Sequence, residues 1–186
     1  MHAIEPYYNW RHLYTPEEDE YSPFYGKEHS EFEYSETVYN YYIHPQWDAF
    51  GSENIYMKFQ YIDYEEGFAI IELLGEWNDA IANDIMHLKR NIIDVLLLRG
   101  IKKYLFIAEN VLSFYADDES YYEEWHEELG DHGWIVVMNL PDQSMEEFLN
   151  SRIRDYLFFD AVDNWRTYQP QALFEMIDNK QLKRLV

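Results

Sequence analysis

The densest group of side chains able to do chemistry is Glu123-Glu124-Trp125-His126-Glu127-Glu128, with Asp131 and His132 close behind. Imidazole and carboxylate are metal ligands, and Glu123, His126 and Glu127 stand three and four residues apart, neighbours on a helix surface. The spacing matches no known metal box, because the two histidines four apart of a zinc-protease helix are missing. Gly130 is a helix stop that leaves Asp131 and His132 past the helix end. The cluster reads more simply as the solvated face of an acidic helix. A carboxylate/His metal-dependent enzyme is the lesser alternative.

Other chemistries have less to stand on. No serine sits in a Gly-x-Ser-x-Gly turn, and paired carboxylates can be assembled in space from any chain this acidic. The seven glycines are scattered over turn and helix-end positions, so no loop cradles a phosphate. The expectation is a protein with no catalytic residues, no metal site and no cofactor. Aromatic groups remain: Trp77, Trp125, Trp134 and Trp165 can line a pocket for a flat or apolar ligand, or simply pack the core and anchor an N-terminal segment. The first case gives a small-ligand-binding sensor as the alternative function.

The charge narrows the partners. Fourteen Lys and Arg against 36 Asp and Glu give a formal net charge of -22, a field that repels phosphate backbones and anionic lipid heads. Nucleic acid and membrane surfaces are therefore not expected partners. The acidity suits a basic protein partner or mimicry of nucleic acid, but acidic surfaces usually serve only to keep a chain in solution; a protein partner is expected, a basic one being one alternative. No cysteine is present, which excludes disulfides and thiolate metal sites and suits a reducing, cytoplasmic setting. No apolar run approaches a membrane span, and the start Met1-His2-Ala3-Ile4-Glu5-Pro6 lacks the parts of a signal peptide.

The elements that must position these residues begin near Ile55. Residues 1–54 hold nine tyrosines but only four aliphatic Ile, Leu or Val residues (Ile4, Leu13, Val38, Ile43), too little for a core of their own and too aromatic for a disordered tail. They read as an acidic Tyr-rich arm packed on residues 55–186 or on a partner subunit. Within it, Phe32, Tyr34, Val38 and Tyr42 share one parity and suggest a strand over residues 31–43. Ile55, Met57, Phe59 and Tyr61 then alternate as a strand with one buried face, and Phe68 to Leu74 forms the second strand of a hairpin across Glu65-Glu66-Gly67.

Asn78 can cap a long amphipathic helix through Ile81, Ile85, Leu88, Ile92, Val95 and Leu96 to Gly100, with Asp84, Lys89, Arg90 and Asp94 on its solvated face. Tyr104 to Ala108 and Trp134 to Met138 are apolar on both parities and read as central strands. Asp117 or Asp118 starts a helix ending at Gly130. Ser144-Met145-Glu146-Glu147 has capping-box spacing, Trp165 to Tyr168 reads as a short last strand, and Pro170 opens a final helix through Leu173, Phe174 and Ile177. The two-sided strands need cover on both faces of the sheet. If the helices lie on one side, the arm or a second subunit must cover the other.

This ββαβαβαβα order is that of an α/β protein with a mixed, mostly parallel sheet. Over residues 55–180 it resembles the STAS superfamily, and within it the SpoIIAA-like proteins. The resemblance rests on the opening hairpin, on Leu74-Gly75-Glu76-Trp77-Asn78 where a strand ends in Gly and hands over to a helix, and on the last strand leading through Pro170 into Ala172-Leu173-Phe174. It implies a non-enzymatic, cytoplasmic bacterial regulatory or protein-interaction module, with homodimerisation through the arm as one possibility. In the antagonist branch of that superfamily a Ser or Thr in an Asp-Ser-Ser/Thr-Gly-like setting is phosphorylated. Ser113 lies near the matching place, in Glu109-Asn110-Val111-Leu112-Ser113-Phe114-Tyr115-Ala116-Asp117-Asp118, without that motif; it is the one regulatory candidate.

Overall fold

The computed structural model describes residues 4–184. The start on which the signal-peptide reading rests, Met1 to Ala3, lies outside the described residues, as do the last two residues of the 55–186 segment. The chain is a mixed α/β protein built on a five-stranded sheet. Two short strands in the arm, β1 (Thr37–Val38) and β2 (Tyr41–Tyr42), pair with each other. The main sheet has β3 (Ile55–Asp63), β4 (Phe68–Asn78), β5 (Lys103–Tyr115), β6 (Trp134–Met138) and β7 (Phe158–Asp160) in sequential order. β3 pairs antiparallel with β4, and β4 through β7 run parallel.

Sequential parallel strands joined by crossovers of one hand place the connecting helices on one face of the sheet. Those helices are α1 (Asp79–Ala82), α2 (Asp84–Leu88), α3 (Asp94–Leu97), α4 (Ser120–Leu129) and α5 (Asp142–Leu149). Ile71, Leu73, Phe106 and Ile135 meet Leu88, Ile92, Trp125 and Phe148 there. The alternate residues of the same strands, Ile70, Leu105, Ile107 and Val136, meet Leu173, Phe174 and Ile177 of α6 (Pro170–Arg184) on the other face, where Trp10 of the arm joins them. Both faces of the two-sided strands are thus covered within one chain.

The arm wraps the free edge of β3. Asp48 bridges Met57 through backbone hydrogen bonds of 2.8 and 2.9 Å, which blocks part of an edge open to another strand. Phe24 and Phe50 pack on the helix side, and Trp10 packs on the α6 side with its ring 5.6 Å from Trp165. Ile43 and Trp47 close over Tyr56 and Leu74. Each fully buried aromatic contributes on the order of 2–3 kcal/mol of burial free energy. For this reason β3 is buried on both faces rather than one. A bulge between Phe59 and Tyr61 shifts its parity, so that Phe59 and Ile62 share a cluster.

Several expected elements differ. The strand over residues 31–43 shrinks to the β1–β2 pair, because Tyr39 and Asn40 both take positive φ (48° and 64°) and turn the chain back on itself. The long helix is broken at Asn83, whose φ of 52° ends α1, and a π turn at Lys89–Ile93 joins α2 to α3. Asn78 does cap α1, accepting from Ile81 N at 3.0 Å, but Ile81 is exposed, and Asp84 and Lys89, both expected on the solvated face, are fully buried. The extra residue of a π turn rotates the helix surface and brings Ile92 and Ile93 both inward.

The capping box is absent. Pro141 occupies the N-cap of α5, and the Ser144 hydroxyl lies inside the helix and donates to Val111 O at 2.9 Å. The last strand is β7, and the segment Trp165–Thr167 is a 3-10 turn that drives the Trp165 ring into the α6 side of the core. α4 starts at Ser120, where Asp118 Oδ1 accepts from Ser120 N at 2.7 Å. Among the described residues no helix is long and apolar enough to cross a membrane.

Candidate functional site

In open α/β sheets, sites form beyond the C-terminal ends of the parallel strands. Here β4 and β5 run on together to Asn78 and Tyr115, so Ser113 is a strand residue, in register with Glu76. Its hydroxyl is buried and donates to Glu76 Oε1 at 2.6 Å. Tyr39, at the tip of the β1–β2 turn, reaches the same carboxylate. That hydrogen bond first, then burial and the Glu76 charge, pushes the Tyr39 hydroxyl up to about 12. A phosphate on Ser113 would face Glu76 at contact distance and meet like-charge repulsion.

Around this point the arm exposes rings instead of burying them. Phe32 is 86% exposed and Tyr39 65%, and Tyr34, Tyr41 and Tyr42 are exposed as well, between the exposed carboxylates of Glu31, Glu33 and Glu36. Leu112 and Tyr115 add exposed apolar surface from β5. Val38, Tyr39, Tyr41, Leu74 and Leu112 line a shallow groove between the arm and the strand ends.

Beneath it, the β4–α1 junction is tied by two buried carboxylates. Asp79 Oδ1 accepts from Trp77 Nε1 and Ile85 N, both at 2.9 Å, and Oδ2 accepts from the Tyr122 hydroxyl at 2.6 Å. Burial pushes the Asp79 carboxyl up to about 6 against these three bonds, with the Asp84 charge adding to the rise. Asp84 Oδ2 accepts from Asn78 N at 2.8 Å, and burial raises its carboxyl too. Each Asp caps backbone N–H groups at the start of a short helix, so the pair holds the junction's shape.

The cluster weighed as an alternative metal site is not among the described groups whose ligand atoms converge. Glu123, His126 and Glu127 are all exposed on α4, and the His126 ring packs 5.8 Å from Tyr156. The carboxylates that converge are Glu124, Glu128 and Asp94, and the buried Lys89 ammonium sits among them, 2.7 Å from Glu128 Oε2 and 3.4 Å from Glu124 Oε1, with Asp94 in closer contact. Burial acts to lower the Lys89 ammonium, and its bonds to Asp94 and Glu128 outweigh that and raise it. Arg90 forks onto Glu124 at 2.6 and 2.8 Å.

A second group, Glu17, His29 and Asp48, also has ligand atoms close enough for one ion. The His29 ring lies between Asp48 Oδ1 at 2.7 Å and Glu17 Oε1 at 3.2 Å. Lys27 reaches Asp48 at 2.9 Å, and Lys58 bonds both carboxylates. Burial acts to raise the Asp48 carboxyl, but His29, Lys58 and Lys27 hold it below the usual range. In both groups lysine ammoniums stand where a cation would. They bind the arm to β3 and α4 to the π turn. Residue spacing held no signal for the second group, whose members come from distant loops.

Of the four tryptophans singled out by sequence, Trp77 and Trp125 line a cavity on the helix side of the sheet. Trp134 and Trp165 lie on the α6 side, their indole N–H groups donating to Asp178 and Glu109. No family model matches this chain, and no curated protein matches it.

Proposed function

We propose that the chain is a non-enzymatic regulatory protein-interaction module of STAS/SpoIIAA-like fold, acting in a cytoplasmic setting, and that its acidic aromatic hairpin receives a basic segment of a protein partner. The observation that supports this reading is the run of exposed rings in one arm segment, Phe32, Tyr34, Tyr39, Tyr41 and Tyr42, which also exposes Glu31, Glu33 and Glu36, with Tyr39 and Tyr41 beside Leu74 and Leu112. Exposed rings grouped on one rim are the usual mark of a contact surface, since tyrosine offers large rigid area with a polar tip. Guanidinium and ammonium groups stack on such rings and pair with the carboxylates between them. The net charge of -22 speeds the approach of a basic partner and repels acidic competitors.

The test must separate the rings from the bulk charge. An arginine-rich peptide is titrated into the wild type and into Phe32→Ser/Tyr39→Ser/Tyr42→Ser, which keeps the net charge. At about 0.5–1 kcal/mol for each exposed cation–π contact, losing three rings weakens binding by roughly tenfold or more. Equal affinity for both proteins would reduce the interaction to general electrostatics and remove the reading.

A further inference from the structure

Residues 4–10 run as a strap over the α6 side of the sheet, where Tyr7 and Trp10 join the core. Among the described residues no backbone-to-backbone hydrogen bond ties this strap to a strand. Side chains hold it instead. Trp47 Nε1 donates to Ile4 O at 2.8 Å, the Tyr7 hydroxyl to Arg166 O at 2.9 Å, and Trp10 Nε1 to Tyr168 O at 3.1 Å. The strap meets the sheet itself through Tyr7 N, which donates to Glu72 Oε2 at 2.8 Å. Past Trp10 the chain turns, and it is anchored again at Glu17 by Lys58 and His29.

Beneath the strap the sheet is polar. Glu72 is 1% exposed, and Gln60 of β3, which donates to it at 2.8 Å, is buried as well. Lys58 stands opposite Glu72 in the β3–β4 register, but its ammonium is committed to Glu17 and Asp48. Glu109 of β5 adds a like charge, and Arg166 of the 3-10 turn spends its guanidinium on Glu109. Arg11 lines a small cavity with Tyr7 and Gln60. Among the described residues no cation bonds Glu72 itself. Burial pushes its carboxyl up to about 7, with Glu109 adding to the rise and Tyr7, Gln60 and Arg166 opposing it. Once ionised, Glu72 is a buried charge that hydration would relieve. The strap is the part of its cover that can leave without breaking a sheet ladder.

We propose that residues 4–10 form a proton-operated strap, seated while Glu72 carries a proton and lifting locally, with the sheet still folded, when Glu72 ionises. The proton passes to solvent, and water replaces Tyr7 N at the carboxylate. Local opening of this kind draws on segments held by few backbone bonds. The seated strap holds the proton more tightly than the lifted one, so closure is strongest below about 4.5 and weakens as pH rises through about 7. On lifting, Ile4 leaves the groove it shares with Tyr39, Tyr41 and Leu112, and Trp10 leaves the α6-side core. The strap thereby couples pH to two surfaces. His44, 3.3 Å from Glu5 of the strap, makes an ion pair only when its ring is protonated. Glu72→Gln leaves that contact in place, so the variant isolates Glu72. The strap works whether or not the exposed hairpin is a contact surface.

The experiment follows hydrogen exchange by NMR in the full-length protein from pH 5 to pH 8, each rate divided by the intrinsic rate at that pH. Its probes are the Tyr7 amide and the Trp10 indole N–H, with the Ile135 and Val136 amides of β6 as reference. The strap probes are expected to exchange through an opening at least about tenfold more populated than the one that frees β6, and unchanged by low urea. That opening grows roughly fifty- to hundredfold from pH 5 to pH 8. It levels off at the midpoint of the Glu72 carboxyl 13C titration, and in Glu72→Gln the rise is flattened. The wild type alone supplies the strap-against-sheet comparison and the carboxyl midpoint, so the test survives a variant that fails to fold. Equal protection of strap and β6 probes would overturn the proposal, because the strap would then leave only when the whole protein unfolds. A strap opening that does not change with pH, or one that rises equally in Glu72→Gln, would overturn it too.

Discussion

Glu72 is a carboxylate buried in the sheet, on the arm's side of β4, with no cation in direct contact among the described residues. Its Oε2 accepts from Tyr7 N and Gln60 Nε2, both at 2.8 Å. Burial pushes its carboxyl from 4.5 up to about 7, the Tyr7 and Gln60 bonds and the Arg166 charge pulling down and the Glu109 charge pushing up. The folded state therefore holds this proton more tightly than the unfolded chain. The stabilisation that follows is complete below about 4.5 and is lost as pH rises through about 7, roughly 3 kcal/mol over the whole window. Urea unfolding at pH 5 and pH 8 should show the wild type weakening with rising pH. Glu72→Gln keeps an oxygen for both donors, is the more stable protein at pH 8, and loses the Glu72 share of the slope. Parallel slopes in the two proteins would refute this. Asp79 adds dependence of the same sign between 3.8 and about 6. None of this was legible in the sequence, where Glu72 is one acid in an apolar strand. The α4 cluster was half legible: with Trp125 and Leu129 inward, helix geometry turns Glu124 and Glu128 to one flank and Glu123 and Glu127 to solvent. The partner Lys89 comes from another element and leaves no trace in the spacing.

At the level of elements, the passage from a strand into a helix at Asn78 was legible, but the strand does not end at Gly75 as its sequence suggested: β4 runs on to Asn78, and its glycine has another physical reason. Gly75 has φ of 129°, and a Cβ there would lie 2.2 Å from Asn54 O, the acceptor of the Glu76 N hydrogen bond. Backbone cannot yield as a side-chain tip does. Gly75→Ala should therefore destabilise the protein by roughly 2 kcal/mol or more, seen as a lower urea midpoint with unchanged slope; a midpoint within error of wild type would show that the arm shifts freely at Asn54. Elements with long apolar runs, such as β6 and the core of β5, followed from pattern alone. Those that depend on distant partners did not. Ser144 has capping-box neighbours, but its hydroxyl meets Val111 O. Trp165 has strand-like neighbours, but its indole takes an acceptor on β5 and its ring fills the α6 side. The break at Asn83 and the π turn at Lys89–Ile93 satisfy packing on α4 that no local periodicity encodes.

Across the whole molecule, the arm both covers the sheet and charges the surface. It carries eleven Asp and Glu against two Lys and Arg, and it buries Trp10, Phe24, Trp47 and Phe50 against the core. Its aromatic composition indicated that it packs on something, since so few aliphatic residues cannot form a core alone, but left its own domain and a partner subunit both open. Where it packs was not legible, because the contacts that seat it are single long-range ones: Trp10 to Tyr168, Tyr7 to Glu72, Asp48 to Met57 and Lys58. Removing residues 1–54 uncovers the β3 edge, exposes apolar surface on both faces and leaves Glu72 and Lys58 without the arm's groups. It also removes much of the negative charge that keeps copies apart. Strand edges and apolar faces left open in this way pair with other chains. The truncated protein is expected to aggregate or to bind a hydrophobic dye, with light scattering and dye fluorescence as the measurements. A monomeric, dye-silent fragment as stable as the full chain would mean that the sheet holds its own faces closed, and that the arm's buried rings add little to the fold they touch.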